Sequence, residues 1–436
     1  MNDLTDTSLR RKAGSGDPAA QYRLAKAYFS QQRSLRGLRW LRFAVEGKAP
    51  QAMVDLALRH LTGAEVQLNI QVAYGMLAEA SQLGSAEASY HLANLQAAGF
   101  GTEKNLPAAL EHLQLAANAD CPAALRTLGM LYALDQQANP GNRALATLLK
   151  AASLGDGIAA YFAARSLLHS ESDRDHAQAR YLLEQAVEQK IGLATRRLKA
   201  WSTTSTLPDA IAPEALWQSF NPLVIEPGWD TRREDRRQQV ASEPRIYRIE
   251  GLLTALESEY VIAMAEPNMQ VSMVTDTAGR PIKDPIRTSN STNFLETVRD
   301  MAIHLIESRM IAVTGVPIAH AEPLGVLRYE RGEEYKQHVD FLSQASLDSA
   351  FGQTGQRLQT IFTYLSDVAE GGETSFPEAD GTGVKIAPKL GDGALFYNVD
   401  DAGDGHPRSI HASLPVRQGT KWLSTLWIRE KVFENR

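Results

Sequence analysis

Six alanines recur along the first half of the chain, Ala20, Ala52, Ala88, Ala124, Ala160 and Ala194, at steps of 32, 36, 36, 36 and 34 residues. A period in this range marks a stacked repeat, because one short supersecondary unit cannot bury its own apolar face and needs the next copy to cover it. Leu24, Leu56, Leu92, Leu128 and Leu198 stand four residues after their alanines, with Ala164 taking that place in the fifth unit. Positions i and i+4 share one face of a helix, so each unit opens with a helix. A second small position, at Ala44, Ala80, Ala116, Ala151 and Ala186, follows the bulky residues Trp40, Leu77, Leu113, Leu148 and Leu183 and marks a second helix. Small residues let paired helices approach closely, so the pattern predicts an α-solenoid of helical hairpins over residues 17–200, behind an N-terminal tail of residues 1–16.

These units resemble Sel1-like repeats, relatives of the tetratricopeptide repeat, most closely in AEASYHLANLQAAGFGTEKNLPAALEHLQLAANA (Ala86 to Ala119). That resemblance implies a protein-interaction surface, with a scaffold or dimerisation element as the alternative. Between Trp201 and Val240 the helical period fades, and Pro208, Pro213, Pro222, Pro227 and Gly228 punctuate the chain, so residues 201–240 read as a linker. Whether Glu214 to Ile225 forms a bridging helix or an edge of the next domain stays open. Arg232, Arg233, Arg236 and Arg237 are interrupted by Glu234 and Asp235 and read as a solvated face.

Composition excludes several classes. With 44% hydrophobic and 22% charged residues and no apolar run near the roughly 18 residues of a membrane span, a soluble protein is expected, with no membrane partner. The opening MNDLTDTSLRRKAGSG lacks the apolar stretch of a secretory signal, which points to the cytoplasm. A net charge of -6 speaks against nucleic acid, whose non-specific binding needs an excess of Lys and Arg. The single cysteine, Cys121, leaves any metal site to His and carboxylates.

From Ala241 on, the pattern changes. RIYRIEG alternates as a strand does, while LTALESEYVIAMAE and NFLETVRDMAIHLIESRMIAVTG read as helices. Strand-like segments then dominate: LGVLRYE, YKQHVDFL, QTIFTYLS, VKIAP, GALFYN, SIHASLPV and KWLSTLWIRE. The expected class is thus multidomain, an α-solenoid followed over residues 241–436 by an α+β domain with a β core and flanking helices. Within it, His338 and Asp340 lie two apart on a strand and would point to the same side. A second His from another strand would complete a two-His, one-carboxylate set, which leaves three positions of Fe(II) open. His320-x-Glu322 is a rival dyad among the ten histidines. What favours His338 is its context: His411 follows in SIHASLPVRQGTKWLSTLW, and Lys421 comes ten residues after it. Lys421, Leu423, Thr425 and Trp427 share strand parity, and a buried Lys needs an anion. His406 lies near His411 but lacks the S-x-H-x-x-x-P-V frame and the ten-residue step to Lys421.

RTSNSTNF (Arg287 to Phe294), LRYERGEEYKQHVDFL, GQRLQTIFTYLSDVAEGGETSFP, GDGALFYN and SIHASLPVRQGTKWLSTLW together resemble the prolyl 4-hydroxylase family of 2-oxoglutarate dioxygenases, across essentially all of residues 244 to 430. The resemblance implies a double-stranded β-helix (jelly roll) and Fe(II) on His338, Asp340 and His411. It also implies 2-oxoglutarate and O2 as co-substrates, with ascorbate as an additional cofactor. Lys421 would take the far carboxylate of 2-oxoglutarate, and Tyr329, Tyr364 and Thr374 would line its pocket. Tyr335, Arg357 and Trp427 match positions that contact a proline-containing substrate. Core packing is the alternative reading for Tyr364 and for these last three. The expected reaction is hydroxylation of a peptidyl residue, proline at its 4-position, with succinate and CO2 as co-products and the repeats recruiting a protein substrate. Hydroxylation of a free amino acid or other small molecule, or a non-catalytic interaction scaffold, are the alternatives.

Overall fold

The computed structural model describes residues 7–135, 142–204, 208–213, 236–275, 281–282, 285–295, 297–348 and 353–433. Its first twelve helices are α1 (Thr7–Gly14), α2 (Pro18–Ser30), α3 (Ser34–Glu46), α4 (Pro50–Thr62), α5 (Ile70–Gln82), α6 (Ala86–Ala98), α7 (Leu106–Asn118), α8 (Pro122–Leu134), α9 (Arg143–Ser153), α10 (Gly157–Leu167), α11 (Asp173–Glu188) and α12 (Gly192–Thr204). The described residues up to Ala186, with 208–213 and 297–301, make one compact unit, and the remaining described residues make the other. Glu214 to Ile225, Arg232, Arg233, Glu234 and Asp235 lie outside the described residues.

In the first unit the alanine period marks the helix contacts. Ala52, Ala88 and Ala124 on the first helices, and Ala44, Ala80, Ala116, Ala151 and Ala186 on the second, are fully buried. The bulky partner in the first hairpin is corrected by the structure. Leu41 is fully buried, three residues before Ala44, at the same step that separates Leu77, Leu113, Leu148 and Leu183 from their alanines, whereas Trp40 is only half-buried. Residues 7–14 belong to the expected tail yet form α1, whose Leu9 and Ala13 pack on Ala20 and Leu24 and cover the open end of the stack. Helix α12, expected within the repeats, clusters with the second unit.

One turn position repeats with the helices. Gly16, Lys48, Gly84, Asp120, Gly155 and Lys190 all have positive φ, between 58° and 96°, just before the next unit's first helix. A side chain with a Cβ is disfavoured there by about 1 kcal/mol or more. Lys190 is exposed, so Lys190→Gly is expected to raise stability by about 1 kcal/mol, read as a higher denaturant midpoint at unchanged slope. A lower midpoint would show that the turn is not strained.

The second unit is built on two principal sheets. The larger runs in the order β1 (Arg237–Ala241), β2 (Ile246–Ile249), β13 (Gly393–Tyr397), β9 (Arg357–Tyr364), β16 (Lys421–Arg429), β7 (Gly325–Tyr329), β6 (Asn290–Asn293) and β3 (Gln270–Val271). The smaller is β12 (Val384–Ile386), β11 (Thr374–Phe376), β14 (His411–Ser413) and β8 (Tyr335–His338). Two short ribbons pair β4 (Val274–Thr275) with β5 (Pro281–Ile282), and β10 (Glu370–Gly371) with β15 (Val416–Gln418). Alternation along the strands sends Leu327, Tyr329, Phe362, Tyr364, Ala394, Phe396 and Leu423 to one apolar core, joined by Phe376 and Ile386 from the smaller sheet. This is the jelly roll the resemblance implied.

Helices cover the opposite face of the larger sheet, where Ser424 Oγ lies 3.9 Å from Met310 Sδ. Helix α13 (Ala255–Ala265) starts at Thr254, whose hydroxyl accepts from Glu257 N in a reciprocal capping box. Helix α14 (Met301–Ala312) begins eight residues later than expected from the apolar pattern. Phe294 N instead donates to Leu324 O at 2.9 Å, extending the strand ladder, and Leu295 is half exposed.

Candidate metal centre

His338 and His411 are cross-strand partners on β8 and β14, so the register of the smaller sheet sets their rings side by side, 4.2 Å between centroids. Asp340 lies two residues beyond the end of β8 rather than on it, and still turns back to the same point. Its Oδ1 is 3.8 Å from His338 Nε2 and its Oδ2 is 3.7 Å from His411 Nε2. The three donor atoms lie within 4.8 Å of one another, the only such His, Cys, Asp or Glu group among the described residues.

Both imidazoles are held in the same tautomer. His338 Nδ1 meets Lys336 O at 2.8 Å and His411 Nδ1 meets Ser409 O at 3.0 Å, and a carbonyl requires each of these nitrogens to carry the proton. The Nε2 lone pairs are therefore left for a ligand bond. Burial, with His411 beside it, pushes the His338 pKa down to about 3, which keeps it neutral. Burial pushes Asp340 up, but His411, His338 and Arg357 outweigh it and bring the carboxyl down to about 2, so it is charged. Two imidazole nitrogens and one carboxylate converging on a point fit Fe(II) with positions to spare.

A bulge explains the ring that faces His338. His411 pairs with His338 while Ser413 pairs with Tyr335, so β8 carries one residue more than β14 between these pairs. Residues three apart on a regular strand point to opposite sides, but across the bulge Tyr335 stacks on His338 at 3.5 Å and 12°. Arg287 from RTSNSTNF lies over the ring of that tyrosine, 4.9 Å from its centroid. Phe376 and Phe396 enclose His411 at 5.5 and 4.8 Å.

Lys421 pairs in register with Tyr329 and is fully buried. Its Nζ donates to Ser413 Oγ at 2.7 Å and sits 5.3 Å from the rings of both Tyr329 and Tyr364. Burial, only partly countered by Glu373, lowers its pKa to about 7. The Tyr364 hydroxyl is 2.7 Å from Thr374 Oγ1 and 2.8 Å from Ile386 O, so Tyr364 and Thr374 form one locked wall. Burial raises the pKa of Tyr329 and of Tyr364, keeping both as neutral phenols.

Trp427 and Arg357 form the opposite edge, with the guanidinium 4.0 Å above the indole. Arg357 also grips Glu322 through two bonds of 2.6 and 2.8 Å, and Arg429 Nη1 reaches Glu322 Oε1 at 3.0 Å. That pairing disposes of the rival dyad: Glu322 is occupied by two arginines, and His320 Nδ1 lies 3.2 Å from Arg429 O. His406 is likewise engaged, its Nδ1 accepting from Arg408 N at 3.2 Å.

The sequence reading missed Thr360, Asn398, Ser409 and Ser413. Thr360 Oγ1 donates to Asp340 Oδ2 at 2.8 Å and accepts from Asn398 Nδ2 at 2.9 Å. Parity was the available signal for Thr360, which alternates in step with the inward-facing Phe362 and Tyr364. Asn398 closes the quoted GDGALFYN segment.

Residues 324–429 match the 2OG-Fe(II) oxygenase superfamily, and residues 18–46, 50–85, 86–121 and 157–190 match the Sel1 repeat. The hairpin of α8 and α9 falls outside those matches although it keeps the buried Ala124 and Ala151. Among solved structures, that of the viral collagen prolyl hydroxylase of Paramecium Bursaria Chlorella virus-1 matches at 26% identity and a TM-score of 0.34, covering 44% of this chain and 98% of that one. Two curated relatives come from Arabidopsis thaliana. "Prolyl 4-hydroxylase 2" is 35% identical over 238 residues, 50% of this chain and 78% of that protein. "Probable prolyl 4-hydroxylase 10" is 37% identical over 220 residues, 46% of this chain and 75% of that protein. On this likeness the chain belongs to the prolyl 4-hydroxylase family of Fe(II)- and 2-oxoglutarate-dependent dioxygenases, carried behind Sel1 repeats.

Proposed function

We propose that the protein hydroxylates a peptidyl proline at its 4-position, with Fe(II) on His338, Asp340 and His411, 2-oxoglutarate anchored by Lys421, and the Sel1 repeats recruiting the protein substrate. The observation that carries this reading is the pairing of the three converging donors with a fully buried lysine whose ammonium is met by a hydroxyl instead of a carboxylate. A buried ammonium in that setting calls for an anion. When bound, iron and 2-oxoglutarate supply the oxidation of a C–H bond by O2, with succinate and CO2 released.

The chain's own part is binding, orientation and exclusion of water. Tyr329, Tyr364 and Thr374 wall the space beside Lys421, so a carboxylate there is held in a medium of low polarity, where its attraction to the ammonium is strengthened. Tyr335, Arg357 and Trp427 are proposed to meet the substrate. Trp427 is suited to this because its indole lies beneath the Arg357 guanidinium and its N–H is close enough to Asp340 to help keep it charged. No helix among the described residues is long and apolar enough to cross a membrane. A cytoplasmic setting and the absence of a nucleic-acid partner belong to the same proposal, the latter on the net charge of -6.

Anaerobic addition of Fe(II) and 2-oxoglutarate should give a weak visible charge-transfer band. Under air, proline-rich peptides should then drive succinate release and gain the mass of one oxygen on proline. Succinate release with free amino acids but not with peptides would move the reading to a small-molecule hydroxylase. A missing band would remove the enzyme reading altogether.

A further inference from the structure

The hydrogen bonds behind Asp340 form a directed chain. An ionised carboxylate only accepts, so the Thr360 hydroxyl gives it its single proton. Thr360 Oγ1 is then left with lone pairs, which the Asn398 amide can meet only through its NH2 end, at 2.9 Å. Asn398 is fully buried, and its amide oxygen finds no hydrogen-bond partner among the described residues. A buried amide oxygen left unpaired is costly, and the orientation serves Thr360 at that expense.

The main chain of the same asparagine reaches toward another ligand. Asn398 N donates to Leu358 O, two residues from Thr360, at 2.9 Å, and Asn398 O accepts from His406 N at 2.9 Å. His406 opens the short turn Pro407–Ser409, and the carbonyl of Ser409 fixes the Nδ1 proton of His411. One residue thus supports Asp340 through its side chain and the approach to His411 through its backbone.

We propose that Thr360 and Asn398 are positioning residues for the metal: the Asn398–Thr360 chain locks the rotation of the Asp340 carboxylate. So locked, Asp340 would keep Oδ2 engaged by Thr360 and hold Oδ1 in a fixed direction toward the ion that the site would take. The proposal rests on the reading of His338, Asp340 and His411 as ligands, and its test separates the two.

Co(II) is the probe, titrated into the full-length apo protein and followed by its visible absorption. Thr360→Val keeps the shape and deletes the hydroxyl, and should weaken Co(II) binding about 10- to 100-fold, as loss of such supporting partners commonly does. Thr360→Ser restores the hydroxyl and should bind as the unaltered protein does. Asn398→Ala should weaken binding in the same direction, and combining it with Thr360→Val should add little, because the asparagine acts through the threonine. Unaltered Co(II) affinity in Thr360→Val, an equal loss in Thr360→Ser, or full additivity of the pair each overturns the positioning role. His338→Ala is the separate control: if it binds Co(II) unimpaired, the ligand assignment itself falls, and the positioning proposal with it.

Discussion

His338→Ala is expected to lower Fe(II) affinity by more than about 100-fold, beyond the range usual for supporting residues, and to take hydroxylation to background. The reason is local. Only three donors converge among the described residues, and removing one would leave Asp340 and His411 to hold the ion while the Tyr335 ring loses the imidazole it stacks on. Metal titration and the anaerobic charge-transfer band measure the effect. His320→Ala and His406→Ala are the matched controls. Both rings already hydrogen-bond the main chain, and neither belongs to the converging group, so metal affinity should be unchanged in each. A loss in either control equal to that in His338→Ala would mean that folding, not ligation, had been measured.

Lys421→Met should move stability and binding in opposite directions. The variant removes a buried charge whose partner is a neutral hydroxyl, so the apo protein should become more stable near neutral pH. Affinity for 2-oxoglutarate should fall by about 30-fold to several thousand-fold, corresponding to roughly 2–5 kcal/mol for removing one member of a buried charge pair. The pH dependence carries a matching sign. Lys421 titrates at about 7 in the folded protein against 10.5 for an ordinary lysine, so between these values the unfolded chain binds more protons. Stability of the apo protein therefore rises with pH across that window, and the contribution is lost again as pH falls toward 7. Binding of 2-oxoglutarate favours the charged lysine, so its affinity should decline as pH rises above 7. In Lys421→Met both slopes should flatten. Calorimetric unfolding and co-substrate titration across that window decide it, and unchanged slopes would remove Lys421 as the anchor.

Much of this was legible in the sequence because it rests on period and parity. The alanine steps located the hairpin contacts, since a close helix approach tolerates little besides a small residue at each crossing. Strand parity joined Lys421 to Leu423, and both face the core that Tyr329 and Tyr364, named by the resemblance, also line. What escaped depends on local departures from period. Leu41 and Trp40 are adjacent bulky residues, and only the packed structure shows which one fills the crossing. Asp340 was assigned to a strand that ends at His338. Thr360 is a small polar residue on an apolar strand and Asn398 lies just past the end of another, and nothing in their own segments announces a partner far away in sequence.

The extra residue in β8 makes chain length a determinant of what the metal faces. With Lys336 or Gln337 removed, Tyr335 and His338 would stand two apart and ordinary alternation would keep them on one side; with the bulge lost but the three-residue step kept, alternation would carry Tyr335 to the other side of the sheet. The carbonyl of Lys336, which holds His338 in its tautomer, would be displaced in the same event. A chain with the same histidines, aspartate and spacing but without that bulge would therefore present a different wall to its substrate. Comparing such chains by residue identity alone would miss the difference, whereas comparing the residue counts of β8 and β14 between the two paired positions would find it.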